Sequence, residues 1–290
     1  MAEAIAGDRE SSGSTVFGAV VLVRRYPVKS MLGEELPGAA VTTRGVADDR
    51  RLALVHRATG KIVSAKDPRL WRDMLRLSAA TAGTDVKITF PDGASVASTD
   101  PAVNAVLSEF LGQPVTLTAA PPVEATFDRA DPDEVLRDGI RAPVRVDTGQ
   151  LGGAAPPGTF FDYAPLHLIT TSTLDRIGEL SPRGAVELER YRPNIVISDA
   201  APGFAENDWA GRDLRIGAGL TIRVIARTPR CAIPTLEHGG LPRDTNALRV
   251  PAAHNRITPA NDWGPQPCAG VCAQVLRDGW VQIGDVVQSA

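Results

Sequence analysis

The sequence predicts a mainly β chain of the α+β class, two β-rich domains in series: an N-terminal β-barrel-like domain and a C-terminal β-barrel with peripheral helices. Three observations predict it. Short β-branched runs recur along the chain, 27 Gly and 23 Pro punctuate the 290 residues, and only one segment carries a well-marked helical period. Length alone is consistent with two ordinary domains. Residues 1–16 read as a flexible tail, 17–122 as the first domain and 123–290 as the second, with 123–165 as its loop-rich lead-in.

Taken in order, 17–28 is valine-rich and ends as a strand at Tyr26-Pro27. Runs 51–55 and 61–64 flank Ala58-Thr59-Gly60 as a hairpin, and 75–80 and 86–90 pair around Gly83-Thr84-Asp85. Pro91-Asp92-Gly93 is a turn, with φ preset at Pro and a residue free to take φ > 0. The helix starts at Asp100-Pro101 and stops at Gly112, with Val103, Val106, Leu107, Phe110 and Leu111 on one face. A strand follows at 115–118, then loop from 121 to about 165, where Gly152, Gly153, Pro156, Pro157 and Gly158 crowd together. Strands resume at 166–169, 194–198, 220–226 and 280–287. Helical spacing begins at Ser172, and a short helix from about Ala185 stops before Pro193.

Composition narrows the function. With 43% apolar and 22% charged residues the chain is ordinary globular material, and a net charge of -3 offers no global field for nucleic acid. The N-terminus carries Glu3 and Asp8 where a signal peptide needs an apolar stretch, and the apolar run 17–23 is far shorter than a membrane span. Three cysteines are too few for a disulfide framework. The expected setting is reducing cytoplasm, without membrane or nucleic-acid partners.

No glycine-rich nucleotide loop, Cys-x-x-Cys pair or His-Glu-x-x-His is present. Cys231 stands out, because it follows the strand 220–226 on a turn stiffened by Pro229 and Pro234, beside Arg230, which favours thiolate. It reads as a soft-metal ligand, a nucleophile or a buried structural cysteine; a zinc set with Cys268, Cys272 and His238 or His254 is a further option. Tyr26-Pro27-Val28-Lys29-Ser30, Arg50-Arg51 and Arg192-Pro193-Asn194 place cations at strand ends, where barrel mouths form, or are solvated surface groups.

In order and separation, Tyr26-Pro27-Val28-Lys29-Ser30, Asp49-Arg50-Arg51, Arg192-Pro193-Asn194-Ile195-Val196 and Arg230-Cys231 resemble proteins with a MOSC domain preceded by a MOSC N-terminal β-barrel. The mitochondrial amidoxime-reducing component and its bacterial relatives belong to that group. Glu206-x-x-Trp209 and the closing Val281-Gln282-Ile283-Gly284-Asp285-Val286 fit as well. The resemblance implies binding of the molybdenum cofactor (Mo-molybdopterin), with Cys231 as the metal-ligating cysteine. Lys29, Ser30, Arg192 and Asn194 match positions that hold the pterin and its phosphate, and Thr170 and Thr171 align with a polar strand-end pair there. Arg50 or Arg51 matches a further cofactor-contacting arginine, strand alternation deciding between them, and Arg230 adjoins the ligand. The chain departs from the pattern at Pro234, in the loop 149–158 and at Cys272, where an aromatic is common.

The implied activity is reduction of a small N-hydroxylated substrate to amine and water. Its electrons would come from a separate flavoprotein or ferredoxin-type carrier, since three cysteines cannot supply a four-cysteine cluster while one ligates molybdenum. The alternative is a carrier that stores the cofactor without catalysis. Sulfur transfer needs a pyridoxal phosphate domain, for which this chain has no room.

Overall fold

The computed structural model describes residues 14–290, so most of the expected tail lies outside the described residues. Its centre is a closed ring of seven strands: β1 (Val16–Arg25), β2 (Leu166–Thr170), β3 (Ile195–Ser198), β4 (Asp213–Ile216), β5 (Leu220–Pro229), β6 (Gln266–Arg277) and β7 (Val286–Ser289). Neighbours run β2-β3-β1-β7-β4-β5-β6, and β6 closes on β2 through Leu166–Ala273, His167–Cys272 and Leu168–Val271. Within the ring only β2 and β3 are parallel, and the helix Thr171–Leu180 lies in the crossover such a pair requires. Along β5, Leu220, Ile222, Val224 and Ala226 are buried, while Arg223 is exposed and Thr221 and Ile225 are half-buried. Leu220, Ile222 and Val224, with Leu214, Ile216, Val271 and Val287, belong to the barrel core.

The remaining chain builds a second core. A sheet of Ser78–Ala82, Asp85–Thr89 and Ser95–Ala97, the pair Ala53–His56 with Val115–Thr118, and the helix Val103–Leu111 enclose Val28, Met31, Leu54, Met74, Leu77 and Leu107. The two halves interleave. β1 sits in the middle of the C-terminal barrel, and Gly38–Thr42 pairs with Gly279–Gln282. In return, Cys231, Ile233 and Leu236 pack into the N-terminal core.

Several elements differ from the sequence reading. Residue 16 already belongs to β1, and Thr15 O accepts from Ser289 N at 2.8 Å. The hairpin around Ala58 reduces to one bridge, Val55–Ile62, because Ala53–His56 pairs instead with Val115–Thr118. The lead-in holds a hairpin, Thr126–Ala130 with Val146–Gln150, around a helix Pro132–Asp138 whose Asp131 side chain caps Asp133 N and Glu134 N. The helix Thr171–Leu180 begins one residue before Ser172 and is capped by Thr170. The helix from Ala185 is a 3-10 turn at Leu188–Arg190, the run 280–287 breaks at Gly284 (φ 94°), and the helix Asn246–His254 forms around Pro251. Among the described residues no helix is long and apolar enough to cross a membrane.

Candidate functional site

Both halves wall a cavity of about 410 Å³. β5 ends at Pro229, opposite Cys268 of β6, and Arg230 N donates to Pro267 O at 2.8 Å. Cys231 comes next, its thiol free and only 7% exposed, on the cavity wall. Among the described residues no three His, Cys, Asp or Glu side chains cluster to hold a metal, so the zinc set is not assembled. A metal held at Cys231 would need its remaining ligands from a group bound with it.

Six cationic side chains and one carboxylate line the cavity. Lys29 Nζ donates to Phe160 O at 2.8 Å and pairs with Asp162, whose other oxygen lies 2.8 Å from Lys66 Nζ. The Phe127 ring lies 5.4 Å from the first ammonium and 4.9 Å from the second. Burial pushes the Lys29 ammonium down to about 8; burial also opposes the charge on Asp162, but the two ammoniums hold its carboxyl well below the usual range. Lys29 has three N–H donors and two are engaged, so one remains for a ligand.

Arg192 is different. Its guanidinium lies 4.3 Å from the Tyr26 ring centroid and, among the described residues, pairs with no carboxylate, and its buried Nη1 has no hydrogen-bond partner. Burial pushes it down to about 10. Arg230 donates from Nη2 to Tyr191 O at 2.9 Å, while its buried Nε is also unpartnered. Between the two, His167 approaches Arg230 Nη1 at 3.4 Å and Arg192 O at 3.4 Å; burial, then Arg230, bring it down to about 3, so the ring is neutral. Gly270 makes room for this ring, since a Cβ there would stand 2.5 Å from His167 Nε2. Unpaired buried N–H groups beside a free thiol are the donor set an anionic, metal-bearing ligand needs, so the residues fit the molybdenum cofactor.

The backbone carries the same signature. Of six non-glycine described residues with positive φ, three line this cavity: Ser30 (66°), Arg50 (46°) and Arg192 (56°). Such conformations persist only where surroundings over-determine them. Asn194 provides part of that restraint, donating to Asp49 Oδ2 at 2.9 Å and to Arg24 O at 3.2 Å while accepting from His167 N.

Lys29, Ser30, Arg50, Arg192, Asn194, Arg230 and Cys231 thus share one cavity. Arg51, Thr170 and Thr171 are not on its wall. Arg51 turns outward to Thr84 O (2.7 Å) and Asp48, leaving Arg50 between the Tyr26 and Phe161 rings. The Thr170 hydroxyl is consumed by the helix cap and by Glu206 Oε2 at 2.8 Å, and Thr171 opens the helix behind it. The sequence reading missed Lys66, Arg129, Asp162 and His167. His167 was legible as the second residue of a strand whose end carried other expected site residues; the others belong to no recognisable spacing.

Two family descriptions match: the MOSC N-terminal beta barrel domain over residues 17–120 and the MOSC domain over residues 156–288. The chain belongs to the MOSC-domain proteins. It is 28% identical over 224 residues to a molybdenum cofactor sulfurase of Oryza sativa subsp. japonica, covering 66% of this chain and 25% of that one. Against a molybdenum cofactor sulfurase of Emericella nidulans the identity is 26% over 285 residues, covering 71% and 33%. The chain therefore spans a third or less of these relatives' length. The YUAD protein of Bacillus subtilis matches 96% of each chain at 9% identity and a TM-score of 0.38, too slight a likeness to add to the fold.

Proposed function

We propose that this protein binds the molybdenum cofactor and reduces N-hydroxylated compounds with electrons from a separate flavoprotein or ferredoxin-type carrier. The observation that carries the reading is a free thiol, Cys231, facing the same cavity as Arg192, a buried guanidinium without a partner. When bound, the cofactor supplies a two-electron metal able to exchange oxygen. Cys231 gives the protein thiolate, a soft ligand matched to that metal. Arg192 and Arg230 offer their unused N–H groups to its anionic end, and Arg50, braced by Asp49 and Asn194, closes the side. Lys29 holds a proton at Nζ at neutral pH and releases it more readily than an exposed lysine does. The aromatic walls Phe127, Phe161 and Tyr191 exclude water from this charge cluster.

The net reaction breaks the substrate N–O bond, forms an N–H bond and releases water, consuming two electrons and two protons. The test is to purify the protein from cells that make the cofactor, measure molybdenum and pterin, and assay benzamidoxime reduction with an artificial donor. The expected result is stoichiometric metal, turnover, and loss of both in Cys231→Ala. Wild-type molybdenum content in that variant overturns the ligand assignment. Bound metal without turnover by any donor points to a cofactor carrier instead.

A further inference from the structure

Residues 121–155 lie between the two family matches, which cover 17–120 and 156–288. Yet this stretch builds part of the cavity: Phe127, Arg129, Gln150 and Gly153 all line it. Phe127 and Arg129 are two apart on one strand and so share its face. Phe127 covers the Lys29 and Lys66 ammoniums, which Asp162 already neutralises in part. Arg129 has no such compensation. It is half-buried, its one side-chain hydrogen bond is a long contact of 3.5 Å to Gln266 Oε1, and among the described residues it forms no ion pair. Asp147, opposite it in the hairpin, turns to Arg145 at 3.9 Å.

Tyr163 and Trp263 also line this cavity, both half-buried, with ring centroids 5.1 Å apart at 60°. Gly153 admits that pair, since a Cβ there would stand 3.1 Å from Tyr163 Cδ2. An uncompensated guanidinium and an edge-to-face aromatic pair lining one cavity make a receptor for a flat ring bearing an anion.

We propose that the segment 121–155 sets substrate choice, selecting N-hydroxylated compounds whose aromatic body carries a carboxylate. Arg129 binds the carboxylate and the Tyr163–Trp263 pair flanks the ring. This rests on the reductase reading, and the two are separable by experiment. Calorimetric titration of the purified protein with 4-carbamoylbenzoate and with benzamide, neither reducible as an N-hydroxy compound, needs no turnover. The expected preference for the carboxylate is at least about tenfold, the contribution of one charge-assisted hydrogen bond. Arg129→Gln brings the two affinities together, and Trp263→Ala weakens both by about fivefold. In the loaded enzyme, the ratio of kcat/KM for 4-carboxybenzamidoxime over benzamidoxime falls in parallel in Arg129→Gln, with molybdenum content at the wild-type level. Equal binding of the two probes by wild type, or a preference that survives Arg129→Gln, overturns the proposal. Protein holding no pterin or molybdenum sinks the reductase reading, while the affinity ratio still decides for or against Arg129.

Discussion

Arg192 offers a test in which stability and binding move in opposite directions. The side chain is 8% exposed, its Nη1 is buried without a partner, and burial pushes its pKa from 12.5 to about 10. At pH 7 it is charged both folded and unfolded, so the full shift is a cost to the ligand-free fold. At about 1.4 kcal/mol per unit that cost is about 3 kcal/mol. Arg192→Met keeps an apolar stem against the Tyr26 ring, loses a cation–π contact worth about 1 kcal/mol, and leaves about 2 kcal/mol of net stabilisation. The assay is urea unfolding of cofactor-free protein at pH 7, with and without pyrophosphate as an anion probe. Wild type gains stability as pyrophosphate rises, because a ligand bound only by the folded state adds RT ln(1 + [L]/Kd), whereas the variant starts higher and gains little. If Arg192→Met unfolds more readily than wild type, the guanidinium is structural and the assignment of an anion to it is wrong.

His238 gives a pH signature away from the cavity. Burial holds it near a pKa of about 4, against 6.5 in the unfolded chain, so the unfolded state binds more protons between those values and stability is lost as pH falls through them. His238→Gln is expected to flatten the pH dependence of unfolding free energy by about 1.2 kcal/mol per pH unit near pH 5.5, and urea midpoints from pH 5 to 7 check this. Thr170→Val removes a helix cap and a hydrogen bond to the buried Glu206 carboxyl. It should cost about 2–3 kcal/mol in chemical unfolding, with the molybdenum content of the folded fraction unchanged.

The legible parts of this protein are those written in local chemistry. Gly112 ends its helix with φ 63°, Asp85–Thr89 and Ser95–Ala97 meet at Pro91-Asp92-Gly93, and Cys231 follows a strand with clear alternation. β6 escaped because residues 267–273 are buried throughout, so no two-residue period exists to read. The hairpin 126–150 escaped because 15 residues, including a capped helix, separate its strands. At the cavity, motif residues were readable as a set. Lys66 and Asp162 were not, because charge pairing across distant segments leaves no spacing in the chain, nor was Arg129, whose side-chain contact is the distant Gln266. Thr170 shows the converse: a polar residue at the right strand end whose hydroxyl is already spent on its own helix.

The position of β1 has a consequence for how the cavity comes into being. The strand made early, Val16–Arg25, is held on one side by Ile195–Ser198 and on the other by Val286–Ser289. The ring thus has a gap until residues 286–289 leave the ribosome, and its loop of more than 260 residues closes last. Lys29 and Cys231 are therefore both made before the ring beside their cavity can close. On the proposed reading the cofactor is loaded after synthesis, and a nascent chain stalled before residue 286 should hold no molybdenum.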